Sequence, residues 1–81
     1  MLVAVRLFAR ARDLAGAETV SVEVPDNYTV GDLRARLASA YPALKSLLAR
    51  SALAVNNEFA DEATILPANA ELALLPPVSG G

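Results

Sequence analysis

The stretch TVGDLRARLASAYP, residues 29–42, predicts the main helix of the chain, and the rest of the fold is arranged around it. Thr29 and Asp32 have the spacing of a capping box, so the helix is predicted to begin between them. Pro42 lacks an amide hydrogen and is predicted to end it. Apolar residues recur every three or four positions, which is typical of a helix with one buried face. This stripe consists of Val30, Leu33, Leu37 and Tyr41.

Short apolar or alternating segments flank this helix and are typical of strands. The predicted strands are residues 2–8 and 19–24 before the helix, and 51–55, 58–60 and 71–75 after it. A shorter helical turn is predicted at 43–49, and ARARDLAG, residues 9–16, is predicted to be either a short turn of helix or a loop. Residues 61–66 give no clear pattern.

This order of elements predicts an α+β domain of the β-grasp, or ubiquitin-like, arrangement, in which a mixed sheet packs on one main helix. In that fold, by analogy, the first and last strands lie side by side and parallel at the centre of the sheet. We expect one domain over residues 1–76, followed by a flexible tail over 77–81.

The composition excludes several kinds of site. The 81 residues contain neither Cys nor His, which rules out thiol nucleophiles, imidazole bases and disulfides. Seven basic and nine acidic residues are spread along the chain, so no nucleic-acid surface is expected. The sequence shows no membrane-spanning run and no secretory signal, and we therefore expect a cytoplasmic protein without membrane contact.

Strand parity predicts a docking surface on the open face of the sheet. If Val5 and Leu7 face the helix, then Phe8 faces away from it, and the same reasoning turns Leu75 away when Leu74 faces the helix. Phe59, in the short return strand, is predicted to join them. The alternative is a one-residue slip at a bulge, which would make these side chains ordinary core residues.

The tail is the most informative segment for function. Pro76 and Pro77 restrict the backbone and favour an extended path away from the domain. Val78 and Ser79 lead to Gly80 and Gly81, which lack side chains and can enter a narrow channel. The C-terminal carboxylate of Gly81 is therefore the candidate reactive group.

Three segments resemble the small, sulfur-carrying subunit of molybdopterin synthase, the MoaD-type family. They are LFARARDLAG near the start, AVNNEF in the middle and ELALLPPVSGG at the end, and the last is similar to the family ending PPV(T/S)GG. The resemblance implies that Gly81 is the reactive terminus and Gly80 its threading partner. It also implies partner contacts at Phe8, Phe59 and Leu75, although many members have aromatic residues where this chain has Leu74 and Leu75.

The family mechanism implied by this resemblance uses no cofactor bound to the chain itself. An E1-like adenylyltransferase uses ATP to form a glycyl adenylate at Gly81, and a persulfide sulfur donor converts it to a thiocarboxylate. The tail then enters the large subunit of molybdopterin synthase, in a heterotetramer, and delivers sulfur to cyclic pyranopterin monophosphate. Residues 76–80, PPVSG, are the expected tail contacts with these partners.

Two other functions remain open at this point. One is a ubiquitin-like modifier joined through Gly81 to target lysines, with a related variant that carries sulfur for tRNA thiolation or thiamine synthesis. The other is an interaction module whose tail has no chemistry.

Overall fold

The computed structural model describes residues 1–77. Its strands are β1 (Leu2–Leu7), β2 (Thr19–Glu23), β3 (Ala52–Val55), β4 (Glu58–Phe59) and β5 (Leu72–Leu75). Its helices are α1 (Ala9–Ala15), α2 (Val30–Ala40) and α3 (Lys45–Leu48), with a 3₁₀ turn at Pro42–Leu44 that leads into α3. In this described part of the chain, no helix is long and apolar enough to cross a membrane.

The start of α2 confirms the predicted capping box. The Thr29 hydroxyl accepts a hydrogen bond from the Asp32 amide at 3.1 Å, and the Asp32 carboxylate accepts one from the Thr29 amide at 3.0 Å. These two bonds satisfy amides that the first helical turn leaves without partners. Val30, Leu33 and Leu37 are fully buried, so the predicted stripe faces the core.

The five strands form one mixed sheet in the order β2-β1-β5-β3-β4. β1 and β5 are parallel neighbours, with Val5 opposite Leu72 and Leu7 opposite Leu74, whereas the other strand pairs are antiparallel. The last strand therefore lies at the centre of the sheet beside the first. The predicted β-grasp arrangement is confirmed.

The core lies between α2 and one face of the sheet. Val5, Leu7, Leu72 and Leu74 are buried and face the helices, in agreement with the predicted parity. Leu74 pairs with Leu7 on one side and with Leu53 on the other, and all three side chains are buried. The strand that leads to the tail is thus fixed on both sides.

Several predicted boundaries were wrong by one residue. β1 ends at Leu7 and β4 at Phe59, each one residue before its predicted end. Residues 9–16 were predicted to be either a helical turn or a loop, and the structure shows the helix α1 there. Gly16 caps the C-terminal end of α1 with a φ of 71°. That left-handed conformation suits glycine, which has no Cβ atom. The unclear segment 61–66 contributes a single bridge between Ile65 and Thr29.

Arg34 has a structural role that the helical pattern did not predict. Its guanidinium donates hydrogen bonds to the carbonyl oxygens of Leu48 and Ser51, the latter at 2.8 Å. It also forms an ion pair with the Glu62 carboxylate at 2.7 Å. Arg34 therefore ties α2 to the start of β3 and to the segment after β4.

Candidate docking surface beside the C-terminal strand

The strand register places one row of side chains across the open face of the sheet. Arg6 of β1 pairs with Thr19 of β2 on one side and with Ala73 of β5 on the other. Ala73 pairs in turn with Ala54 of β3, and Ala54 pairs with Phe59 of β4. Because directly opposed residues share a face, the row runs from a cation, across two small alanines, to an exposed aromatic ring.

The two alanines form the floor of a shallow groove of about 210 Å³, which we call the Phe8–Phe59 groove. It is lined by Phe8, Ala54, Asn57, Phe59, Ala73 and Leu75. Phe59 is 75% exposed and Phe8 is 36% exposed. Large aromatic side chains that remain this exposed on a small domain are typical of protein-binding surfaces.

Phe8 occupies the junction between β1 and α1. Its backbone is still extended, with a φ of −129°, while the next residue, Ala9, has a φ of 51°. A positive φ is costly for alanine, so the chain accepts local strain where it turns directly after Phe8. The Arg6 guanidinium carbon lies 5.4 Å from the centre of the Phe8 ring, within the range of a cation–π interaction.

The groove is continuous with the residues that lead into the tail. Leu75 is partly exposed and pairs with Ala52, while its neighbour Leu74 is completely buried. Pro76 is half-buried and Pro77 is exposed. The predicted contacts Val78, Ser79 and Gly80 and the predicted reactive terminus Gly81 lie outside the described residues.

Charged side chains lie near both Phe8 and Phe59, but not all of them are on the face that carries the groove. Beside Phe8, a depression is lined by Arg6 and Arg12 together with Glu18. Beside Phe59, a second depression is lined by Glu58 and Asp61. Glu58 pairs with Val55, which packs against the core, so Glu58 lies on the face of the sheet opposite the groove.

Over residues 1–77 the structure places no three acidic side chains where together they would hold a metal ion. Burial raises the pKa of Tyr28 above the ordinary value of 10.0. Tyr28 belongs to the core rather than to the groove. The described groove offers exposed aromatic and apolar side chains, which suit the binding of a protein partner.

The fold and this surface define a ubiquitin-like β-grasp domain with an apolar groove beside its C-terminal strand. The model of the ThiS family matches residues 5–81. The chain therefore belongs to the ThiS family.

Proteins similar over nearly the whole chain carry two kinds of name. A molybdopterin synthase sulfur carrier subunit from Arabidopsis thaliana is 34% identical over 98% of this chain and 82% of the plant protein. The protein of the same name from Dictyostelium discoideum is 37% identical over 93% of this chain and 91% of its own length. Small archaeal modifier protein 1 of Haloferax volcanii is 40% identical over 94% and 97% of the two chains.

The solved structures that are similar to this chain also include an archaeal modifier and a molybdopterin-related subunit. The crystal structure of the Haloferax volcanii modifier matches with a TM-score of 0.86 and 38% identity, with both chains fully covered. A chain from the complex of subunits 1 and 2 of the molybdopterin-converting factor of Helicobacter pylori matches with a TM-score of 0.68 and 32% identity, again over both full lengths.

The structure brings together the three docking residues predicted from the sequence. Phe8, Phe59 and Leu75 line one groove and are not core residues. The alternative, in which a one-residue slip at a bulge places them in the core, is therefore wrong. The alanine floor and the contact between Arg6 and Phe8 were missed, because they depend on which strands are neighbours. In the sequence, Arg6 stands between Val5 and Leu7. This alternation could have predicted that Arg6 lies on the open face of the sheet.

Proposed function

We propose that this chain is the sulfur-carrier subunit of molybdopterin synthase and that the C-terminal carboxylate of Gly81 carries the sulfur. The observation that carries the proposal is the similarity, over almost the full length, to proteins bearing that name. The Phe8–Phe59 groove supports it, because a carrier must dock on a partner while its tail reaches into that partner's active site.

The chemistry begins with an unreactive group. A terminal carboxylate has a pKa of about 3.5 and is an anion at neutral pH, so it must be activated before sulfur can be attached. In the proposed sequence, an E1-like enzyme transfers AMP from ATP to the Gly81 carboxylate. The outer sulfur of a persulfide donor then attacks the acyl adenylate and displaces AMP, and a thiol reductant cleaves the resulting acyl disulfide to release the thiocarboxylate.

The thiocarboxylate is proposed to enter the large subunit and to donate sulfur to cyclic pyranopterin monophosphate. Residues 77–81 span about 16 Å when fully extended, which allows the domain to stay outside a deep pocket. The two glycines present no side chains to the walls of such a channel. In this scheme the groove holds the domain and the tail delivers the reactive atom.

The Helicobacter pylori structure supports a large-subunit partner, since it is a complex of subunits 1 and 2 of the molybdopterin-converting factor. We extend this to a heterotetrameric assembly in the cytoplasm, where ATP and the sulfur donor are available. ATP is a substrate of the activating enzyme and is not held by this chain.

Mass spectrometry of the protein isolated from its own cells tests the proposal. Replacement of one carboxyl oxygen by sulfur adds about 16 Da to the chain. The thiocarboxylated chain should then convert cyclic pyranopterin monophosphate to molybdopterin when mixed with the large subunit, whereas a chain lacking Gly81 should not. An unmodified terminus, together with full cellular function after deletion of Gly81, would contradict the proposal.

A second candidate function is conjugation to other proteins, favoured by the similarity to small archaeal modifier protein 1. The same mass spectrometry separates the two functions, because conjugation leaves Gly81 in an isopeptide bond to a lysine of the target. If only such adducts and no thiocarboxylate are found, the modifier function replaces the sulfur-carrier function.

A further inference from the structure

We propose that the outer edge of β2 is a self-association surface for a second copy of this chain, and that the Tyr41 side chain keeps this surface closed. β2 is the outermost strand on one side of the sheet, so one of its edges faces away from every other described strand. The residues that line the Phe8–Phe59 groove belong to other parts of the sheet. The inference therefore goes beyond the proposed function and does not depend on it.

The hydrogen bonds between β1 and β2 show which backbone groups of β2 point outward. The Leu7 amide donates to the Glu18 carbonyl oxygen at 2.8 Å, and the Val24 amide donates to the Met1 carbonyl oxygen at 2.9 Å. Hydrogen-bonded pairs alternate along an antiparallel ladder, so the even-numbered residues of β2 bond to β1. The odd-numbered residues, whose amide and carbonyl groups therefore point away from the sheet, are Thr19, Ser21 and Glu23.

Tyr41 occupies the middle of this edge. It follows the last residue of α2, and its hydroxyl donates a hydrogen bond to the Ser21 carbonyl oxygen at 2.8 Å. Among residues 1–77, this is the one hydrogen bond made to the outward backbone groups of β2. The Tyr41 side chain also packs against the core, which holds its hydroxyl in place. Because an incoming strand needs the same carbonyl as an acceptor, it must first displace Tyr41.

The sequence of the edge suits a second copy of itself. In an antiparallel pair centred on Ser21, the two Ser21 residues face each other and each Thr19 lies opposite a Glu23, so every outward amide and carbonyl finds a partner. The two Glu23 side chains are then about 14 Å apart along the strands, beyond the Debye length of about 8 Å at physiological salt. Each Glu23 carboxylate also forms an ion pair with its own N-terminal ammonium at 3.2 Å. Like charges therefore do not oppose this pairing.

Substitutions at Tyr41 test the proposal by sedimentation velocity over a range of chain concentrations. Tyr41→Ala removes the ring and clears the edge, whereas Tyr41→Phe removes only the hydroxyl and keeps the ring packed against the core. We expect Tyr41→Ala to dimerise at least about tenfold more tightly than the wild type, and Tyr41→Phe at least about threefold more tightly. Thermal unfolding verifies that each variant is folded. If Tyr41→Ala does not fold, Tyr41→Phe decides the test.

The matched control adds Ser21→Pro to each Tyr41 variant. The Ser21 amide points outward, so proline at this position removes no hydrogen bond to β1 but prevents the pairing of an added strand. These double variants should be as monomeric as the wild type. A dimer that persists with Ser21→Pro would place the association on another surface and overturn the proposal. Folded Tyr41 variants that associate no more tightly than the wild type would overturn it too.

Discussion

Arg6 and Phe8 are two residues apart in β1 and its extension, and the Arg6 guanidinium carbon lies 5.4 Å from the centre of the Phe8 ring. Both side chains are on the face of the sheet that the main helix leaves uncovered. The contact holds an aromatic ring at the rim of the groove without burying it in the core. Binding and folding should therefore depend on different residues of the same strand.

Phe8→Ala tests that separation. Phe8 is partly exposed, so its truncation should lower the free energy of unfolding by less than about 2 kcal/mol. It should weaken binding to the large subunit by at least about tenfold, because exposed aromatic residues often dominate interface energies. Chemical denaturation and titration calorimetry measure the two effects.

The matched control for Phe8 is Leu53→Ala, since Leu53 is buried in the core on the opposite face. Its truncation should cost about 2 to 5 kcal/mol of stability. A loss of about 3 kcal/mol or more in Phe8→Ala would instead identify Phe8 as a core residue.

Arg34→Met is expected to destabilise the domain by about 2 to 4 kcal/mol, because it removes charge-assisted hydrogen bonds to two main-chain carbonyls. Glu62→Gln should cost less than about 1 kcal/mol, since Glu62 is 59% exposed and surface ion pairs contribute little. Urea denaturation compares the two variants. Equal losses would mean that the ion pair, rather than the carbonyl contacts, stabilises this region.

Tyr28 should make the domain sensitive to alkaline pH. Burial raises its pKa above 10.0, so the folded state keeps the phenol proton more tightly than the unfolded state does. The resulting stabilisation is fully present below pH 10 and is lost as the pH rises through the folded pKa. Denaturation curves of Tyr28→Phe at about pH 8 and pH 11 should therefore show a smaller fall in stability than those of the wild type.

If Tyr28→Phe loses as much stability between the two pH values as the wild type does, other groups cause the alkaline destabilisation. The substitution itself keeps the aromatic ring, so its effect at pH 8 is expected to be small. The comparison thus isolates the phenol proton.

Deletion of Gly81 should abolish sulfur transfer and change the free energy of unfolding by less than about 0.5 kcal/mol. The described core residues all precede Leu75, and this is the physical reason for expecting an unaltered fold. Thermal unfolding and the conversion of cyclic pyranopterin monophosphate measure the two effects. Appending one residue after Gly81 should have the same result, whereas a marked loss of stability in either variant would contradict the separation of tail and domain.

Much of the fold was predictable because its signals are local. The Thr29 and Asp32 cap, the stripe beginning with Val30, and the alternation around Val5 each depend on residues a few positions apart. The exposure of Phe8 and Leu75 followed from the same alternation. The prediction was less certain at residues 9–16, where a short helix and a loop have similar sequence patterns.

The sequence by itself determined most of the secondary elements, the inward and outward faces of the strands, and an inventory of side chains without Cys or His. Only the tertiary structure decided that Ala54 and Ala73 form the floor of a groove between Phe8 and Phe59, and that Arg34 reaches the carbonyls of Leu48 and Ser51. The physical reason is that local patterns arise from backbone geometry, whereas these contacts require long-range strand order and register, which depend on how the whole core packs.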